Sequence, residues 1–79
     1  MWILYQRIEK KENTYRYAYS RESRELDGII MYDTDDDTTI IEKPCAKDMG
    51  SKFAIMNTIE NFDLIIEEGF PEKRFAAFG

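Results

Sequence analysis

Histidine is absent from all 79 residues. That removes the side chain that most often serves as a general base near neutral pH, and with it the commonest ligand of zinc. There is one cysteine, Cys45, so no intrachain disulfide can form, which fits a reducing compartment. The two prolines, Pro44 and Pro71, and the four glycines, Gly28, Gly50, Gly69 and Gly79, are scattered. No group of glycines forms a phosphate-cradling loop. Hydrophobic runs are short as well. The opening Met1-Trp2-Ile3-Leu4-Tyr5 meets Arg7 too soon to form a signal-peptide core, and no stretch approaches the roughly 20 residues of a membrane span. Basic residues are outnumbered 11 to 16, giving a net charge of −5, which works against general affinity for nucleic acid or anionic membranes. These absences lead to the expectation of a single small cytoplasmic domain over residues 1–79, with no nucleic-acid or membrane partner.

What is present is apolar. The chain is 43% hydrophobic and 14% aromatic, too rich for a disordered segment. A chain of this length buries only about 60–65% of its unfolded surface, so the apolar excess points to a second protein surface, with a homodimer as the default. Charge is divided along the chain. Residues 1–24 carry six Lys/Arg against three Glu, and residues 25–79 carry five basic against thirteen acidic residues. A split of that kind can orient chains as they associate.

Period-two alternation marks the first half as β-structure. Trp2 to Ile8 reads as one strand, the polar Lys10–Asn13 as a turn, and Thr14 to Ser20 as a second strand with Tyr15, Tyr17 and Tyr19 on one face and Arg16, Ala18 and Ser20 on the other. Asp27-Gly28 has the composition of a two-residue hairpin turn. Alternatively Arg21–Glu25 forms a wider loop, with Gly28 opening the next strand. Ile29–Asp33 and Thr38–Lys43 are strands three and four, and Pro44 ends the ladder because it has no N–H to donate. After Asp48 the period becomes helical, with Ile55, Ile59, Phe62 and Ile66 at spacings of four, three and four, and Met56 and Ile65 widening the stripe. Asp48 or Ser51 is the expected N-cap. Gly69 is the expected stop, with Phe70 folding back towards Ile65 and Pro71 enforcing the break. Nearly twenty helical residues would span about 30 Å. Residues 73–79 read as a fifth strand or an extended segment at the sheet edge. The expected fold is α+β: an antiparallel meander of four strands, with a fifth at the C-terminus, packed on one amphipathic helix in the order ββββα(β).

The densest charge lies at the tip between strands three and four. Asp33, Asp35 and Asp37 have the spacing of the first three ligands of a calcium loop. However, Thr38 stands where such a loop needs glycine, and Pro44 stands where it needs a bidentate Glu. They are the candidates for a Ca²⁺ or Mg²⁺ site, with Glu42 as a further oxygen donor, and no metal or cofactor is assigned. Tyr15, Tyr17 and Tyr19, near Arg7, Arg16 and Arg21, have the components of a base-stacking platform, but alternation sets Arg16 opposite the tyrosines. Glu42, Glu67 and Glu68 have no spacing that pairs two carboxylates. Ser20 and Ser23 have no base to activate them, and Cys45 has no neighbouring histidine to lower its pKa. No catalytic residues are assigned. The reading is a non-enzymatic protein–protein interaction or oligomerisation module. Its expected surface combines Tyr15, Tyr17, Tyr19 and Arg16 with the acidic tip at Asp35 and Asp36. The alternatives are a small divalent-cation-binding protein and an acidic decoy for a nucleic-acid-binding protein.

Overall fold

The computed structural model describes residues 1–78. Its elements are β1 (Trp2–Lys10), β2 (Thr14–Arg21), β3 (Gly28–Asp33), β4 (Thr38–Lys43), α1 (Lys52–Glu67) and β5 (Lys73–Ala77). The strands form one antiparallel sheet in the order β4-β3-β2-β1-β5, so the fold is α+β with the order ββββαβ. The meander leaves the chain at the β4 edge, and β5 pairs at the opposite edge beside β1. The helix makes that traverse. Its 16 residues span about 24 Å, against about 19 Å for the four interstrand spacings of the sheet. It is shorter than the sequence period suggests because it starts at Lys52. Ser51 is its N-cap, accepting a hydrogen bond from the Ala54 N–H at 3.2 Å, whereas Asp48 lies in the preceding turn and has another task.

The C-terminus of α1 closes as its sequence implies. Gly69 adopts φ +81°, Gly69 N–H donates to the Ile66 carbonyl and Phe70 N–H to the Ile65 carbonyl, which is the Schellman pattern. Between β2 and β3 the wider loop is the one formed. β2 runs through Arg21 and the loop occupies residues 22–27, with Glu22 at φ +52°. β1 runs two residues past Ile8, and its register against β2 shifts between Arg7 and Glu9, so Ile8 sits in a bulge and is exposed.

The core lies between α1 and one face of the sheet. Ile3, Tyr5, Tyr17, Tyr19, Ile30 and Ala76 project from the sheet and are buried, and Phe62 and Ile65 meet them from the helix. Phe62 is the hub. Its ring lies 5.8 Å from Tyr5 and 5.4 Å from Tyr17 in edge-on contacts, and 6.4 Å from Tyr32. Tyrosine suits this layer because its ring packs while its hydroxyl reaches across. Tyr5 donates to the Thr58 carbonyl of α1 (3.0 Å) and Tyr17 to the Pro71 carbonyl (2.6 Å). Among the described residues, no helix is long and apolar enough to cross a membrane.

Candidate functional site

The tyrosine row of β2 does not stop at Tyr19. Continued at period two it reaches Arg21, whose side chain is 93% buried. A buried cation needs a partner, and Asp48, fully buried in the turn before α1, supplies one through Arg21 Nε to Oδ1 at 2.7 Å. The other carboxylate oxygen accepts from the hydroxyls of Thr58 (2.6 Å) and Tyr19 (3.1 Å). Arg21 Nη2 turns to the helix and reaches Thr58 Oγ1 (2.8 Å), the Ala54 carbonyl (3.0 Å) and Asn57 Oδ1 (3.1 Å). The Tyr19 hydroxyl also accepts from the Cys45 N–H at 3.0 Å. One buried pair thereby ties β2, the β4–α1 turn and the first half of the helix together. Every oxygen of the carboxylate is engaged inside the protein, so the pair is a fixture of the core and not an acid or base facing a substrate.

The residues expected to form a contact surface part company. Tyr17 and Tyr19 lie wholly beneath α1, which corrects their assignment to an interaction surface: the helix covers the tyrosine face of the sheet. Tyr15, on the same face at its end, is half-buried and stacks on Phe70 with ring centroids 3.8 Å apart. Arg16 is on the opposite face, but its charge is already matched within the sheet. It donates to both carboxylate oxygens of Glu42 (2.5 and 3.1 Å) and to Glu9, and the Arg16 hydrogen bond holds the Glu42 carboxyl below the usual carboxylate range. Arg16 is therefore a matched charge on the open face, not a free cation.

The acidic tip is built as a turn. Asp33 Oδ1 accepts from the N–H groups of Asp35 (2.9 Å) and Asp36 (3.2 Å), the local bonding that favours aspartate at such positions. Asp35 accepts from Asn13 Nδ2 at 3.2 Å and Asp37 accepts from the Tyr32 hydroxyl. That last bond, with burial and the nearby carboxylates adding to it, raises the Tyr32 pKa. Asp33, Asp35 and Asp37 are thus turned to separate local partners. Among the described residues, no three or more Cys, Asp or Glu side chains are grouped to hold a metal ion. Asp36 is exposed at the tip. Cys45 is buried and burial pushes its thiol pKa up, which keeps it in the unreactive protonated form. Ser20 is buried and donates to the Ser23 carbonyl. Glu68 accepts from Arg74 at 2.8 Å.

The surface that stands out is the sheet face turned away from the helix. By alternation it carries Trp2 and Leu4 of β1, Ala18 of β2, Ile29 and Met31 of β3, Ile40 of β4 and Phe75 of β5. Register places them side by side: Leu4 opposite Phe75, Ala18 opposite Ile29, Met31 opposite Ile40. Phe75 is 53% exposed and Ile40 46%. Trp2 and Phe75 lie 5.4 Å apart and, with Leu4 and Arg24, line a notch of about 350 Å³ at one corner. Arg16 and Glu42 lie on the same face, with Arg16 directly across from Met31. The alternation of β1 and β3 already separates these residues from the buried set, yet apolar side chains on both faces of a strand do not say which face the helix takes. In comparison with known proteins, the chain matches no family model, no curated protein and no solved structure.

Proposed function

We propose that this chain is a non-enzymatic interaction module that associates through the open face of its sheet, and that its partner is a second copy of itself. The observation that supports the reading is the one-sided cover. A single helix packs on one face of a five-stranded sheet, and the other face presents Trp2, Leu4 and Phe75 at one end and Met31 and Ile40 at the other, with Gln6, Ala18 and Ile29 between them. An apolar patch spanning a face about 19 Å wide is costly to leave in water and marks an interaction surface. Its aromatic and methionine content suits an interface core with Arg24 at the rim, and Arg16, across from Met31 on the central strand, has its charge matched by Glu9 and Glu42. An all-antiparallel sheet offers this face whole to a two-fold mate, whose identical patch would cover it. The cytoplasm, where a lone thiol stays reduced, is the compartment we assign. The acidic balance favours protein partners over nucleic acid.

Sedimentation velocity tests the reading at concentrations from about 1 µM to about 1 mM, the range that brackets weak to moderate association. The expected result is a monomer–dimer shift for the wild type and a monomer throughout for Met31→Lys, which plants an unmatched charge beside Ile40 on that face. A wild-type chain that stays monomeric across the range overturns the reading, as does a Met31→Lys variant that dimerises as well as the wild type.

A further inference from the structure

A cavity of about 520 Å³ lies between the start of α1 and the strand ends. Its apolar wall is made by Met1, Phe53, Ala54 and Phe78, and Arg21 lies at its inner end. Phe53 is 89% exposed, an aromatic ring in the first turn of a helix with no packing role in the core. Arg21 is the second and independent feature. Its Nε is engaged by Asp48 and its Nη2 by α1, but Nη1 has two N–H donors and, among the described residues, only the sulfur of Met1 as acceptor, at 3.2 Å. A thioether is a weak acceptor, Met1 is itself 62% exposed, and both residues line the cavity. The face of the guanidinium meets the Phe78 ring with 5.9 Å between them. The helix end adds donors. Ser51 caps Ala54, which leaves the N–H groups of Lys52 and Phe53 among the first-turn donors that have no acceptor within the helix. No acidic residue stands in that first turn to compete for them.

We propose that this cavity binds a carboxylate carrying one aromatic or branched apolar group. The carboxylate takes the place of the Met1 sulfur on Arg21 Nη1, beside the helix end, and the apolar group lies between Phe53 and Phe78. The Nη1 group of Arg21 can donate a charge-assisted hydrogen bond to one carboxylate oxygen, and the cavity volume is in the range of small-ligand sites, enough for one or two apolar residues. Glu22 lies at the rim and opposes a negative ligand, so it sets the affinity without entering the hydrogen bonding. The carboxylate belongs either to a free small acid or to the C-terminal residue of a polypeptide, since both offer the same group.

The test is an NMR titration of the ¹⁵N-labelled full chain with phenylacetate, phenylacetamide, and the tripeptide Gly-Gly-Phe with free and amidated C-termini. Phenylacetate is expected to move the Arg21 Nε–H and the Phe53 and Ala54 amide resonances, and the neutral amides to bind at least about tenfold more weakly, the worth of a charge-assisted hydrogen bond. Glu22→Gln tightens phenylacetate about two- to threefold, as removal of a nearby exposed like charge should, and leaves phenylacetamide unchanged. Phe53→Ala, which removes a side chain outside the core, weakens both by about threefold or more. Tighter binding by the free-ended tripeptide than by phenylacetate identifies a chain terminus as the source, and the reverse identifies a free acid. Equal binding of acid and amide overturns the proposal, as do shifts scattered away from the cavity, or no shift at about 10 mM ligand, beyond the millimolar limit of useful affinity. The outcome is independent of whether the open sheet face associates.

Discussion

Replacing Asp48 by alanine should unfold much of this protein, although the residue is neither large nor apolar. Asp48 is fully buried and, among the described residues, carries the only carboxylate bonded to Arg21, itself 93% buried. Removing one partner of a buried ion pair costs about 3–5 kcal/mol, because the remaining charge is left uncompensated. Tyr19 and Thr58 also lose the oxygen to which their hydroxyls donate, a loss that overlaps with the first. Against that stands a total stability of about 4–12 kcal/mol for a domain of 79 residues. At about 4–8 °C per kcal/mol the melting temperature should fall by about 12–40 °C, which is readily followed by circular dichroism with urea unfolding as a second axis. Asp27→Ala is the matched control. It removes an aspartate that accepts from the Ala46 N–H at 3.0 Å on the exposed side of the same turn and should cost no more than about 1 kcal/mol. The combination Arg21→Met with Asp48→Ala should recover part of the loss, since no charge is then stranded. An Asp48→Ala chain within about 1 kcal/mol of the wild type, or a double variant weaker than Asp48→Ala alone, would refute the reasoning.

Alkaline pH should unfold the protein in one step. Desolvation raises the Tyr5 and Tyr19 pKa values and pushes Tyr17 up to about 12 from 10.0. These raised values mean that the native state binds protons the unfolded chain has released. The stability is therefore whole below pH 10 and falls as pH rises towards 12, so tyrosinate absorbance and helical ellipticity should change together. A tyrosinate titration complete near pH 10 with the helix intact would contradict the buried row. Gly28→Ala should cost about 2–3 kcal/mol by overpacking, because a Cβ there would stand 2.4 to 2.8 Å from the Tyr19 ring, which is held at its hydroxyl. Gly50→Ala, at φ +78° with open space around it, should cost only about 1–2 kcal/mol of backbone strain, and urea midpoints decide between equal and unequal costs. Calcium or magnesium at about 100 times a real Kd would add about 2.7 kcal/mol. The separate local partners of the tip carboxylates predict no rise in melting temperature with either ion, and a rise would reinstate the cation reading.

Much of the architecture is legible in the chain because its local signals agree. Period-two alternation locates the strands, Ser51 and Gly69 bound the helix, and Asp33 bonds its own turn. The buried pair escapes a reading by residue class, since Arg21 and Asp48 look like surface residues on the edges of a loop. The trace was there: Arg21 extends the row of Tyr15, Tyr17 and Tyr19, and Thr58 interrupts the apolar stripe of α1 where the carboxylate arrives. The choice between the two faces of the sheet is not local information. β1 and β3 are apolar on both sides, and only the packing of Phe62 against Tyr5 and Tyr17 determines which side is closed. For that reason Tyr17 and Tyr19, rated as contact residues by their chemistry, turn out to be core, and Trp2, Met31, Ile40 and Phe75 take their place at the surface. Phe53 stands about 180° round the helix from Phe62, off the apolar stripe, and is 89% exposed.

Trp2 is the only tryptophan and lies on the open face against Phe75 at 5.4 Å, so its fluorescence reports directly on whether that face is covered. On dilution of the wild-type chain through about three decades of concentration around a micromolar Kd, the account predicts a shift of the Trp2 emission towards the red as the two faces separate and water reaches the indole. Met31→Lys should show the red-shifted spectrum at every concentration. A wild-type emission maximum that does not move with concentration, and that matches the Met31→Lys spectrum, would contradict self-association through the open sheet.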